Sequence, residues 1–160
     1  MSDQALAGVL AGCTEEVLEQ MFFVRPFDDD PNSSDSPSCP HLMAEVDFTG
    51  EPSGHLMLSL SSRAARSIAA DFLAEDERVL SEQQIGEVVC ELANIICGSV
   101  LTRVESRTLF RLASPKLVSV GLQPLSHSAA VQSLNLWNGN LTVAISTESP
   151  ICPAATKSAF

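Results

Sequence analysis

The chain has 160 residues, and its 20 aspartates and glutamates against 9 lysines and arginines give a formal net charge of −11 at pH 7. Hydrophobic residues make up 45% of the sequence, so one domain can bury a sizeable core without disulfides or a structural metal. Nine basic residues are too few to neutralise a phosphate backbone or to hold anionic lipid headgroups. We therefore expect neither nucleic acid nor a membrane surface as a partner.

Cysteine usage and the apolar segments indicate a cytoplasmic protein. The five cysteines are odd in number and irregularly spaced, and the chain does not open on a basic segment followed by an apolar one. Both features are typical of a reduced compartment. Polar residues interrupt the apolar stretches before the roughly 20 residues that a membrane-spanning helix needs, so we expect no such helix.

The N-terminal part predicts a helix followed by an acidic loop. From Ala5 to Phe23, apolar residues recur at three- and four-residue steps with glutamates on the remaining face, which is the pattern of an amphipathic helix. Residues 27–40 contain three prolines and four aspartates. Such a composition favours a mobile loop inserted in the domain.

The next segment predicts a β-hairpin and a short helix. Two alternating runs between Leu42 and Ser61 flank the turn sequence TGEPSG, as expected for two antiparallel strands. Ser62 can cap a helix that continues to about Leu73.

A second long helix and three strands complete the predicted elements. Ser81 and Gln84 have the spacing of a capping box, and the helical period continues from them to about Val104. After this helix the sequence predicts three strands, the last two joined by a type I′ turn at the Asn-Gly pair 138–139. These strands are residues 116–120, 129–137 and 140–147.

Together these elements predict an α+β fold in which two long helices and one shorter helix pack on a mostly antiparallel sheet. We assign residues 1–148 to a single domain and residues 149–160 to a flexible tail. Gly54–Ser61 is similar in sequence to Gly139–Ser146. This similarity reflects either two related halves sharing one sheet or the independent use of a common strand pattern.

Polar residues follow one face of the second long helix. At about 100° per residue, Glu87, Glu91, Asn94 and Gly98 fall within a stripe roughly 60° wide, and the opposite side is apolar. We expect the apolar side to pack on the sheet and to hold the stripe rigidly toward solvent. The absence of a side chain at Gly98 would let a partner approach closely. Judged by spacing alone, the stripe fits an ordinary solvent-exposed helix face better than a binding site.

The segment from Gly86 to Gly98, GEVVCELANIICG, resembles the E-x-x-N-x-x-x-G helix of the CheC/CheX/FliY chemotaxis phosphatases, most closely the CheX type. The order of the predicted elements is also similar over residues 5–147, apart from the acidic loop. The family motif often opens with Asp or Ser, and Glu87 stands at that position here.

The resemblance implies a CheC/CheX-like fold and removal of phosphate from the aspartyl-phosphate of a CheY-like receiver domain. By position, Glu91 would pair with a lysine of the receiver and Asn94 would orient the attacking water, with Glu87 and Gly98 contacting the partner. The receiver would supply Mg²⁺, so no cofactor belongs to this chain. The first helix offers Glu16 and Glu19 without an Asn, which implies one site per chain.

Two further expectations accompany the resemblance. CheX-type relatives pair through sheet edges, which implies a homodimer. The alternative function is an adaptor of the same fold that binds a receiver or flagellar-switch component without chemistry.

No metal site is predicted from the histidines and cysteines. Cys39, His41 and His55 lack the paired spacing of zinc ligands. Cys90 and Cys97 lie on the flanks of the motif helix, where cysteine usually packs as a small apolar residue.

Overall fold

The computed structural model describes residues 3–21, 41–50, 52–104, 109–118, 130–136 and 139–148. The predicted acidic loop 27–40 and the tail 149–160 lie outside the described residues. The helices are α1 (Asp3–Met21), α2 (Ser62–Leu73) and α3 (Glu82–Val104), with a short 3₁₀ helix at Glu77–Val79. The strands are β1 (His41–Thr49), β2 (Gly54–Ser61), β3 (Arg111–Leu112), β4 (Lys116–Val118), β5 (Ala130–Leu136) and β6 (Gly139–Thr147).

The six strands form one antiparallel sheet. Its order is β3-β1-β2-β6-β5, and β4 also pairs with β1. The predicted hairpin is present, with β1 and β2 in register from His41 opposite Ser61 to Phe48 opposite Gly54. The α+β prediction is therefore confirmed.

The core lies between the sheet and the three helices. Alternate residues of each long strand point to the same face of a sheet, and on the helix-facing side these residues are buried: Ala44, Val46, Phe48, Leu56, Leu58, Leu60, Leu141, Val143 and Ile145. Helix α3 packs on β1 and β2, while α1 packs on β5 and on α3. All nine buried strand residues belong to one hydrophobic cluster, which also contains buried residues of the three helices.

The internal repeat seen in the sequence coincides with a local two-fold arrangement. The two similar strands, β2 and β6, are neighbours at the centre of the sheet, and Leu58 pairs with Val143, its own equivalent in the repeat. Phe48 pairs with Gly54 in one hairpin, as Leu136 pairs with Gly139 in the other. This geometry supports the interpretation of two related halves sharing one sheet.

The second hairpin differs from its prediction in register. Leu136 pairs with Gly139, and β6 therefore begins at Gly139 rather than at Asn140. Gly139 has a φ of 147°, which a residue without a Cβ adopts at little cost. The expectation that Gly139 belongs to the turn is thus wrong, because it is the first residue of β6.

The helix caps confirm one prediction and correct another. In the predicted capping box, the Gln84 N–H donates to Ser81 Oγ at 3.1 Å and the Ser81 N–H donates to Gln84 Oε1 at 2.9 Å. Helix α2 is capped by Ser61, not by Ser62, because Ser61 has an extended backbone and its Oγ accepts the Ala64 N–H at 3.4 Å.

By length and composition alone, α3 is apolar enough to cross a membrane, in contrast to the expectation from sequence. More than half of its most apolar segment is buried inside the fold. That burial is typical of the core helix of a globular domain.

The cap of α2 can be tested with adjacent serines. Ser61→Ala should lower the free energy of unfolding by about 1 kcal/mol, because the Ala64 N–H loses its acceptor. Ser62→Ala is the matched control and should change it by less than about 0.5 kcal/mol. Urea unfolding followed by circular dichroism measures both values, and equal losses would contradict the assigned cap.

Candidate functional site

Helix α3 has two different sides, as the sequence predicted. Its sheet-facing side is buried at Ile85, Val88, Val89, Leu92, Ala93, Ile96, Cys97, Val100 and Leu101. Ile95 is only partly buried and packs at the margin of this side. The predicted stripe faces outward: Glu87 and Glu91 are exposed, and Asn94 and Gly98 are half-buried. The capping box and this packing hold the stripe in place.

Within the stripe, Glu91 and Asn94 differ from Glu87 in their hydrogen bonding. Glu87 Oε1 accepts a hydrogen bond from Gln83 Nε2 at 3.2 Å. Among the residues that the structure describes, the side chains of Glu91 and Asn94 make neither a hydrogen bond nor an ion pair. A carboxylate and an amide one helical turn apart are therefore available to a partner.

The two glycines that frame the motif have different surroundings. A Cβ added at Gly98 would lie 3.9 Å from Leu112 Cδ2, whereas one added at Gly86 would lie 2.6 Å from Leu117 Cδ1. Gly86 is buried and allows β4 to pack closely across the helix. Gly98 is less closely packed, because an added Cβ would make only an ordinary van der Waals contact with Leu112.

Leu112 and Leu117 flank the stripe, and the sequence did not identify them. Leu112 lies on β3 near Gly98, and Leu117 lies on β4 against Gly86. Both are partly exposed, at 37% and 48% respectively. Strand β3 has two residues, too few for an alternating pattern to reveal it.

The cysteines of α3 are packing residues. Burial raises the pKa of the Cys97 thiol to about 12. Burial and the nearby Glu87 carboxylate also raise the pKa of Cys90. Because the thiolate is the nucleophile, both thiols are poor candidates for covalent catalysis at neutral pH.

In the other half of the repeat, helix α1 has positions equivalent to Glu91 and Asn94 of α3, but it does not carry the same pair of side chains. A shift of 75 residues places Glu16 and Glu19 at the positions of Glu91 and Asn94. Under this shift the buried residues coincide: Leu10, Cys13, Thr14, Val17 and Leu18 match Ile85, Val88, Val89, Leu92 and Ala93. Glu16 forms an ion pair with Arg103 at the end of α3. This position has no amide, and its first carboxylate is engaged within the chain.

Potential metal ligands converge away from this stripe. Among the described residues, the group that could hold a metal ion consists of Glu45, Asp47 and His55 on β1 and β2. Alternation along the strands places these side chains on the sheet face opposite the helices.

Comparisons with known proteins agree with this geometry. The family model "Chemotaxis phosphatase CheX" matches residues 42–136, which include all of α3. No curated protein sequence matches the chain at a significant level.

Three solved structures illustrate the similarity in fold. CheX from Vibrio vulnificus is 18% identical with a TM-score of 0.73, covering 92% of this chain and 99% of its own. CheX from Desulfovibrio desulfuricans is 20% identical with a TM-score of 0.66, and the match covers 90% of this chain and 99% of the Desulfovibrio chain. In a CheX-CheY-BeF₃-Mg²⁺ complex from Borrelia burgdorferi, the matched chain is 18% identical to this one, with a TM-score of 0.63. The match covers 89% of this chain and 97% of the matched chain.

The family match extends from β1 to β5 and spans more than half of the chain. It contains the motif helix together with the strands on which that helix packs. The chain therefore belongs to the CheX family of chemotaxis phosphatases.

Proposed function

We propose that this protein hydrolyses the aspartyl-phosphate of a CheY-like receiver domain, with Asn94 orienting the attacking water and Glu91 pairing with a lysine of the receiver. The observation that carries the proposal is the availability of these two side chains. Both lie on the outward side of a helix whose other side is fixed in the core, and neither is engaged by another described residue.

An amide suits the reaction at this position. In phosphoryl transfer the protein acts mainly through positioning and electrostatics. The Asn94 side chain can both donate and accept hydrogen bonds, so it can hold a water molecule in line with the phosphorus. A carboxylate at the same position would repel the phosphoryl oxygens, which is the situation at Glu19 on α1.

The partner supplies the remaining charges. The Borrelia burgdorferi CheX relative was crystallised with CheY, BeF₃ and Mg²⁺, and beryllium fluoride has the tetrahedral shape of a phosphoryl group. By analogy, Mg²⁺ and the cationic partner of Glu91 would come from the receiver. Gly98 and Glu87 would line the same contact, with Gly98 admitting a close approach.

Homodimer formation and a cytoplasmic location remain predictions. Among the strands that the structure describes, β5 forms one edge of the sheet, and an exposed sheet edge can bind a second copy of the chain.

Asn94→Ala tests the catalytic step. The variant should lose the stimulated dephosphorylation by at least about 100-fold, because the water is no longer positioned. The decay of ³²P-labelled receiver, with and without the protein, measures this rate. Asn135→Ala, which removes an exposed amide from β5, is the matched control and should act like the natural chain.

Two results would contradict the catalytic assignment. If Asn94→Ala stimulates decay at the natural rate, the amide has no catalytic role. If the natural chain binds the phosphorylated receiver but leaves its decay at the intrinsic rate, the adaptor function is correct instead.

Glu91→Gln tests the docking contact. Removing the charge while keeping the shape should raise the protein concentration for half-maximal stimulation by at least about tenfold, because the receiver lysine loses its counter-charge. Glu15→Gln on α1 makes the same charge change at another exposed site and should have no effect. Equal titration curves for the two variants would exclude a role for Glu91.

Gly98→Ala separates stability from docking. Alanine should raise the free energy of unfolding by up to about 1 kcal/mol, because its Cβ would meet Leu112 only at an ordinary contact distance of 3.9 Å. The same methyl group should weaken receiver binding. Denaturant unfolding and titration of phosphorylated receiver measure the two effects, and unchanged affinity would show that no partner approaches Gly98.

A further inference from the structure

The sheet face opposite the helices carries a group of three ligand-bearing side chains. Glu45 and Asp47 are alternate residues of β1, so both point away from the buried Ala44, Val46 and Phe48. Asp47 pairs with His55 of β2 in the ladder. Directly opposed residues of antiparallel strands have side chains on the same face. The strand register therefore brings an imidazole and two carboxylates together.

The ligand atoms of this group are close enough to share one ion. One ligand atom from each of Glu45, Asp47 and His55 lies within 4.8 Å of the other two. Metal–ligand bonds of about 2.0–2.2 Å to imidazole nitrogen and carboxylate oxygen separate two ligands by at most about twice that length. The spacing thus fits a single cation after small side-chain rotations.

The charges within the group are incompletely balanced by the described residues. Among these residues, Glu45 and His55 form no hydrogen bond or ion pair through their side chains. Lys116 Nζ lies 3.8 Å from Asp47 Oδ2, and the lysine side chain is 59% exposed. Two carboxylates held close together repel each other, and a dication between them removes that repulsion.

The group is accessible to solvent, because Asp47 is exposed and Glu45 and His55 are half-buried. His55, but neither carboxylate of the group, also lines an open cleft of about 370 Å³ with Gly54, Ser146 and Glu148. Three protein ligands with open positions toward solvent are typical of a metal site that retains water.

We propose that Glu45, Asp47 and His55 bind a divalent transition-metal ion, with Zn²⁺ as the best match to one imidazole and two carboxylates. The ion would connect β1 to β2 on the face opposite the α3 stripe. The proposal departs from the prediction that the chain holds no metal, and it is independent of the proposed phosphatase activity.

Calorimetric titration of the tag-free full chain with Zn²⁺ tests the proposal. The natural chain should bind one ion at this site, and at a 100-fold excess over Kd its melting temperature should rise by roughly 5–10 °C. His55→Ala should weaken that binding by at least about 100-fold, more than the loss of an outer-sphere group. Its melting temperature without metal should equal that of the natural chain, which shows that the variant folds.

Two matched variants make the assignment specific. His41→Ala removes a histidine outside the group and should bind Zn²⁺ like the natural chain. Lys116→Ala removes the ammonium that competes for Asp47 and should bind at least as tightly. Co²⁺ should give a visible absorption band without a thiolate charge-transfer band, because no cysteine belongs to the group.

Three results would overturn the site. These are the absence of Zn²⁺ binding by the natural chain, undiminished binding by His55→Ala, and a thiolate band with Co²⁺ that persists in that variant. The last two would show that the ion is held by other residues of the chain.

Discussion

The structure depends on the burial of one side of α3. That side contacts β1, β2, α1 and α2, and at roughly 25 cal/mol per Å² its apolar area is a dominant stabilising contribution. The same packing fixes the helix rotation about its own axis. Glu91 and Asn94 consequently project from a rigid surface, and their relative position does not depend on a loop.

The elements with strong local patterns were predictable from the sequence. The 3.6-residue period, the capping box at Ser81 and the turn residues between β1 and β2 all specify structure through neighbours along the chain. The errors arose where pairing with another strand of the sheet, rather than the local sequence, determines where an element begins or ends. Ser61 rather than Ser62 becomes the cap because β2 continues to Ser61, and β3 exists because it pairs with the end of β1.

The candidate site was predictable in part. Its residues follow one helical face, so the sequence identified them together with the family that they resemble. Which carboxylates are available could not be read from spacing. Glu16 is engaged by Arg103, which lies 87 residues away in sequence, and only the packing of α1 on α3 brings the two together. The register of the first hairpin, by contrast, could have indicated that Asp47 and His55 are neighbours.

The position of α3 in the chain has a consequence for synthesis on the ribosome. Strands β1 and β2 and helix α2 precede α3, so the surfaces that bury its apolar side have already been made when it emerges. Helix α1 differs, because one of its two packing partners, β5, is made about 110 residues after it, or roughly 5–20 s of translation later, whereas the other partner, α3, is made sooner. We therefore expect the most apolar helix to be covered early, and the N-terminal helix to complete its packing only when β5 has been made.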